Sequence, residues 1–432
     1  MQNAKMQTTQ TVAGDDGSIQ LRGTSAAPTR RWSKLPDDLL RLVITKLAGP
    51  IGSARFAAVC TSWRAVVSTL PPRLPWLILD PSSDDKAKHV YCLGDAVILP
   101  PIPFPSEAVG KRFVGSYDGG WVVPSDAPLR IMNLFSRAEV PLSAQQRKVR
   151  IVNRPTGSEV LPSKVRPKNP PARLGSDDQL FPLKMIFSEP PTSSSCILAA
   201  ISDEHDVAIC GLSHLERGWT RQRFVEDTVL DITFCNGHLY CLMGLSNQLV
   251  RCDISLTEYG TAAFGAVHWI PMPKRLFVVT EGKTEAYTKY ILELRGNLVI
   301  VARKAKDPFF LVFELVDVDT HRGKRQKWKQ VTNLGDHALF LEPMCAKSMH
   351  ISTSQHQGPQ RNHIYYSHSQ KSVPKPKDTS RGCRVYCKKD ENVDNGVNGI
   401  TSVAYHVSGG AHPAMWLLPP TEPCSCARRA RR

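Results

Sequence analysis

No run of 18 apolar residues occurs in this chain, so the sequence offers no helical membrane span. The leading segment MQNAKMQTTQTVAGDDGS lacks the apolar core that a secretory leader requires. The chain is therefore expected to work inside the cell, in nucleus, cytoplasm or both, with no membrane partner. In such a reducing compartment its 12 cysteines are expected to be mostly free thiols rather than a disulfide framework. Acidic residues are scarce: 39 Asp and Glu stand against 55 Lys and Arg, a net charge of +16. A surface of that sign attracts acidic partners but says nothing about fold.

Phosphate-cradling and hydrolase signatures are missing too. GSYDGG (115–120) is glycine-rich, yet it has neither the G-x-x-x-x-G-K-[ST] nor the G-x-G-x-x-G order and opens no helix. It reads as a turn between strands. No G-x-S-x-G elbow occurs. His363, His368, Cys383 and Cys387, with Cys424 and Cys426 beyond them, are irregularly spaced for zinc and read as solvated loop residues and buried thiols. Cys235 and Cys241 alternate with Phe234 and Tyr240 and read as packing residues. No catalytic residue, cofactor or metal is expected.

What remains is ordinary globular material, 41% hydrophobic and 22% charged, and 432 residues long. That length implies several units or a repeat array. Residues 1–30 are polar and read as a disordered lead-in. Residues 31–72 carry three short helical patterns between breakers. Pro36 suits a first helical turn, and Asp37 and Asp38 face the positive end of the dipole. Leu39, Leu40, Val43, Ile44 and Leu47 follow as one broad apolar face, and Gly49-Pro50 ends it. Ser53 is placed to cap a second helix with Phe56, Ala57, Val59 and Cys60. Thr61 or Ser62 is placed to cap a third, with Trp63, Val66, Val67 and Leu70, before Pro71-Pro72. So small a unit buries little by itself, and a surplus apolar face is expected to be covered by something else.

After Pro75 the texture becomes short apolar runs separated by Gly, Pro, Asn and Asp, which predicts an all-β body: sandwich, barrel or propeller. An apolar run, a turn and a second apolar run recur around Gly237, Gly296 and His363. Spacing somewhat above the ~40–50 residues of a four-stranded blade favours a degenerate β-propeller with long loops. Residues 143–182 are proline-rich and basic and read as a long loop insertion. Residues 353–361 and 369–382 are similar, and 421–432 read as a basic tail.

The order Leu35-Pro36-Asp37-Asp38-Leu39-Leu40, Ile44, Leu47, Arg55-Phe56, Val59-Cys60 and Ser62-Trp63-Arg64 resembles an F-box. The body (74–420) resembles the plant F-box-associated β-propeller family of the KIB type. Its marks are LPWLIL (74–79), VGSYDGGW (114–121), DITFCNGHLY (231–240), LELRGNLVIVAR (292–303), WKQVTNLGDHALFL (328–341), NHIYYS (362–367) and MWLLPP (415–420). The implied fold is a small all-α three-helix F-box followed by a large all-β propeller. The implied role is the substrate-recognition adaptor of a cullin-RING ubiquitin ligase, bound to its Skp-type adaptor and through it to cullin, with a target protein on the propeller. Adaptor contact is then expected from Leu35, Pro36, Leu39, Leu40, Ile44, Leu47, Arg55, Val59, Cys60 and Trp63. The same apolar positions also suit the unit's own core, and short amphipathic helices allow both uses. The alternative is a basic propeller that binds nucleic acid beside an inactive F-box. Lys324, Arg325 and Lys327 in the run HRGKRQKWK (321–329) would then carry a steeply salt-dependent affinity. That run is placed in a loop, and a solvated face or nuclear-import signal accounts for it more simply.

Overall fold

The computed structural model describes residues 32–47, 55–68, 75–81, 88–93, 97–99, 104–125, 129–134, 136–142, 149–151, 182–212, 218–224, 227–277, 279–280, 283–284, 287–304, 310–320, 323–342, 344–352, 359–369, 384–389, 399–408 and 410–418. The lead-in, the tail, most of the 143–182 insertion, Ser53, Gly49-Pro50, Pro71-Pro72, Cys383, Cys424 and Cys426 lie outside the described residues.

Helix α1 (Asp37–Lys46) starts after Pro36, whose extended backbone (φ −55°, ψ 145°) makes it the cap rather than the first helical residue. The second helical pattern amounts to a single turn at 55–57 among the described residues. Val59 and Cys60 fall in the bend after it, not on a helix. Helix α2 (Thr61–Ser68) therefore begins at Thr61, with Cys60 supplying the carbonyl that the Arg64 amide meets at 3.0 Å. Leu40, Ile44, Phe56 and Val66 form a separate apolar cluster, with Leu35, Trp63 and Val67 packed around it.

The strands form six blades, the first two joined into one nine-stranded sheet where Gly115 pairs with Met185, and a two-stranded hairpin (Val279–Thr280, Lys283–Thr284) lies between blades 3 and 4 in sequence. Blade 1 holds Phe113–Tyr117, Trp121–Pro124, Arg130–Asn133 and Glu139–Pro141. Blade 2 holds Pro182–Phe187, Ile197–Ser202, Val207–Gly211 and Trp219–Gln222. Blade 3 holds Val229–Cys235, His238–Met243, Gln248–Leu256 and Ala262–Pro271. Blade 4 holds Tyr287–Leu294, Asn297–Lys304, Phe310–Thr320 and Gly323–Gln330. Blade 5 is five-stranded, in the order Lys347–His350, His337–Leu341, His363–Ser369, Thr401–Ser408, Arg384–Lys389. Blade 6 is shared between distant parts of the chain: Gly410–Leu417 pairs with Trp76–Pro81, followed by His89–Cys92 and Val97–Leu99. Each blade touches the next and the sixth touches the first, so the ring closes as in a β-propeller.

The core confirms this architecture, because the apolar clusters lie between blades. Val114, Met185, Leu198 and Trp219 pack blade 1 on blade 2. Ile209, Ile232, Cys241 and Val250 pack blade 2 on blade 3. Leu242, Ile291 and Ile300 do so for blades 3 and 4, and Leu292, Val301, Leu339 and Ile364 for blades 4 and 5. Aromatic rings join blades 5 and 6: Phe340 stacks on Tyr365 within blade 5 at 5.1 Å, and Trp416 of blade 6 meets Phe340 at 5.3 Å and Tyr405 at 5.6 Å edge to face. Burying both faces of a sheet removes the polar alternation of a one-faced strand, which explains runs such as Ile197–Ser202, buried at every position.

The turns at Gly237 and Gly296 are the first hairpins of blades 3 and 4, whereas the recurrence at His363 is no hairpin: that strand pairs in parallel with His337–Leu341. Asn236-Gly237 and Arg295-Gly296 have positive φ at both residues, the two-residue turn that matches strand twist. The Asn236 side-chain amide donates to the Gly296 carbonyl at 2.7 Å, tying blade 3 to blade 4. Gly115 has another reason to be glycine. The inner strands of blades 1 and 2 meet there, and a Cβ would lie 2.5 Å from the Met185 carbonyl oxygen. Gly115→Ala is expected to destabilise the ring by about 1–3 kcal/mol through backbone displacement, read as a lowered urea midpoint. An unchanged midpoint would show that the inter-blade contact yields freely.

Two loop expectations are corrected. Val149–Ile151, inside the 143–182 insertion, forms a strand that pairs in parallel with Trp219–Gln222. Most of the basic run at 321–329 is the outer strand Gly323–Gln330 of blade 4, not a loop. Its register sets Lys324 opposite Asp319 and Gln326 opposite Asp317. A lysine-bearing edge strand discourages pairing with another sheet, which accounts for its charge without a ligand. The cysteines whose side chains are described are free. Burial pushes the thiols of Cys196 and Cys235 up to about 11 and about 12.

Candidate functional site

Two surfaces stand out, one on the helical unit and one at a mouth of the ring. The apolar positions of α1 divide into two stripes. Leu40 and Ile44 are fully buried, whereas Leu39, Leu42, Val43 and Leu47 are 47%, 58%, 40% and 37% exposed. On a 3.6-residue helix, positions i and i+4 share a face, so 40 and 44 turn inward while 39 and 43 sit on the neighbouring stripe. Val59 and Trp32 add exposed apolar surface at 57% and 72%. Isolated exposed apolar residues are ordinary, but a contiguous helical stripe on so small a unit marks a contact surface.

Of the residues expected to touch an adaptor, Leu39, Leu47 and Val59 are exposed apolar side chains, and Pro36 and Arg55 are exposed beside them. Leu35, Cys60 and Trp63 are half-buried. Trp63 packs on Phe56 with the rings tilted and their centres 4.2 Å apart, and donates its indole N–H to the Trp32 carbonyl at 3.2 Å. The Cys60 thiol is held below its ordinary value by the Ser62 hydroxyl, 3.1 Å away. Leu40 and Ile44 are placed in the unit's own core instead, because α1 must seal one stripe against α2 to fold. Leu42 was missed by sequence reasoning, and Val43 was read only as part of the broad face. The signal was the continuation of apolar residues over more than half the helix circumference.

The second surface is a cavity of about 230 Å³ where the inner strands of blades 1, 2, 3 and 4 end, closed by Met344–Ser348 of blade 5 and Leu418 after blade 6. Beside it lies a buried polar system. The Lys184 ammonium pairs with Asp231 Oδ1, and both side chains are about 95% buried. Asp231 Oδ1 also accepts the Ile232 amide at 2.8 Å, and Oδ2 accepts the Ile291 amide at 3.0 Å. One carboxylate thereby links blades 2, 3 and 4. Glu342 is 1% exposed. Its Oε2 accepts the Met344 amide at 2.9 Å, while Oε1 has no hydrogen-bond partner. Burial pushes its carboxyl up to about 8, against the pull of the Met344 amide, Lys184 and Arg112. Lys347 pairs with Asp118 at 2.6 Å. Its burial lowers the ammonium, but Asp118 and Cys345 outweigh that and the net shift is upward.

Among the described residues no group of three or more His, Cys, Asp or Glu side chains is placed to hold a metal. His363 and His368 lie on a blade 5 strand rather than in a loop, and His363 Nδ1 meets the Arg361 carbonyl at 2.6 Å. In the basic strand of blade 4, the Trp328 indole donates to the Pro271 carbonyl at 2.8 Å.

A family model described as KIB1-4 beta-propeller matches residues 90–390, well over half the chain. A putative F-box protein of Arabidopsis thaliana is 24% identical over 360 residues, covering 78% of this chain and 87% of its own length. An F-box/kelch-repeat protein of the same plant is 26% identical over 356 residues, covering 79% and 85%. A probable F-box protein, also from that plant, is 33% identical over 119 residues, covering 26% of this chain and 29% of its own.

Proposed function

Because this chain belongs to the KIB1-4 β-propeller family and resembles plant F-box proteins along most of its length, we propose that it is a substrate-recognition adaptor of a cullin-RING ubiquitin ligase. The helical unit docks on the Skp-type adaptor, which connects it to cullin, and the ring holds the target protein. The observation that carries this reading is the outward stripe of α1 on a unit that already has its own core. A few aliphatic anchors laid into a groove supply most of the affinity of such an interface. The chain contributes proximity rather than chemistry, since holding a target beside an activated ubiquitin raises its effective concentration. It acts without catalytic residue or cofactor, in nucleus or cytoplasm.

The test uses residues whose change spares the fold. Leu39→Asp combined with Leu42→Asp puts two charges on the exposed stripe and is expected to weaken capture of the Skp-type adaptor by more than tenfold, with ring stability unchanged. Full retention of the adaptor by the double variant overturns the assignment. Leu40→Asp does not serve here, because it would bury a charge in the unit's core.

A further inference from the structure

The mouth of the ring has a charge balance that the adaptor reading leaves unused. Four charged groups in and beside the cavity are matched: Lys184 with Asp231, and Lys347 with Asp118. Glu293, at the end of the inner strand of blade 4, also lines the cavity. It is exposed and no described cation pairs with it, and its surroundings push its carboxyl above the ordinary value by desolvation. Two and three residues before the lining residues Met344 and Cys345 lies Glu342, with its second carboxyl oxygen unpaired. Glu342 holds its proton up to about 8, with Arg112 and Lys184 acting on it, so the acid left unmatched at this mouth is Glu293, although the chain as a whole carries +16.

The walls suit a cation as well. Tyr117 and Phe234 line the cavity, and Lys347 already sits 5.8 Å from the centre of the Tyr117 ring. Ser116, Thr233 and Ser348 also line the cavity; their hydroxyls donate to the Trp416, Phe234 and Glu293 carbonyls, and a hydroxyl oxygen that donates can still accept from an ammonium or guanidinium. Size narrows the guest further. The cavity of about 230 Å³ falls below the roughly 300–1,000 Å³ of pockets that enclose whole small molecules. It is of the size to take one long side chain, with the rest of the segment crossing the hairpin turns of the rim.

We propose that this mouth receives a lysine or arginine side chain of the captured protein, paired with Glu293 and walled by Tyr117 and Phe234. The proposal rests on the adaptor reading for the existence of a target, and it names the chemistry of the target's anchoring residue. Long-range repulsion from the basic chain is screened beyond roughly 8 Å at physiological salt, so the contact is decided at short range.

The full chain is titrated with labelled nonapeptides of Gly and Ser that differ only at the centre: Lys, Arg, Glu, phosphoserine or Leu. Fluorescence polarisation is expected to rank Lys and Arg above the other three. Glu293→Gln is expected to weaken Lys and Arg binding about tenfold, the scale of one charge-assisted hydrogen bond, while Glu139→Gln on the outer strand of blade 1 changes nothing. Unchanged stability of Glu293→Gln confirms that the loss belongs to the mouth. Preference for Glu or phosphoserine, lost on Lys347→Met, would overturn the proposal in favour of an acidic segment. Equal binding of all peptides, or binding of none, also overturns it. The two readings fail separately. Loss of the Skp-type adaptor from purified complexes removes the adaptor role, whereas targets recovered equally by the full chain and by Glu293→Gln remove only the pocket.

Discussion

Replacing Asp231 by alanine is expected to cost the ring roughly 3–5 kcal/mol, the scale seen when one member of a buried ion pair is removed. The substitution strands the Lys184 ammonium in a site where its side chain is only 5% exposed. It also removes the acceptor for the Ile232 and Ile291 amides, so contacts in three blades are lost together. The matching test is a double-mutant cycle. With Asp231→Leu and Lys184→Met as its single variants, the double variant removes both charges and is expected to recover the part of the loss due to the stranded ammonium, while the part due to the Ile232 and Ile291 amides remains. Urea unfolding of the four proteins measures both terms. A single-variant loss below about 1 kcal/mol, the size of one ordinary hydrogen bond, would show that the pair does not hold the blades together.

The second large effect is in pH dependence. Glu342 keeps its proton in the folded chain up to about 8, against 4.5 for the free side chain, because burial disfavours the carboxylate. The folded-state value is raised, so the stabilising contribution is complete below 4.5 and is lost as pH rises through about 8. The gap between those two values sets a ceiling of about 5 kcal/mol on that loss. Glu342→Gln keeps an acceptor for the Met344 amide and cannot ionise. Relative to the native chain, this variant is expected to gain stability steadily between pH 5 and pH 8.5 and to gain nothing further above that. Thermal unfolding at half-unit intervals reads the difference. A constant difference across that range would mean that Glu342 is ionised in the fold, already neutralised by Lys184 or Arg112.

How much of this was legible in the chain depends on the range of each interaction. The hairpin of blade 3 could be read from TFCNGHLY, because Asn236-Gly237 states its own backbone geometry between two apolar runs. The basic strand of blade 4 could not. An outer strand needs no apolar alternation, so Gly323–Gln330 looks like a loop until its partner Phe310–Thr320 is known. Val149–Ile151 escaped for the same reason, as three residues whose sheet partner among the described residues lies about 70 residues downstream.

The two candidate surfaces divide along the same line. Helix α1 announced itself through Pro36, the paired aspartates and its apolar repeat, and those local signals sufficed for a helix with a surplus apolar face. They did not separate Leu40 from Leu39, since that depends on where α2 and Phe56 sit. The ring mouth left no local trace. Lys184 and Asp231 are 47 residues apart, Lys347 and Asp118 are 229 apart, and Glu293 is notable only because no described cation pairs with it. Periodicity and turn chemistry act over a few residues of chain, and they were enough for strands, hairpins and the helical front. Charge matching and burial act through space, so only the closed ring could determine which acids and bases meet and which one is left over.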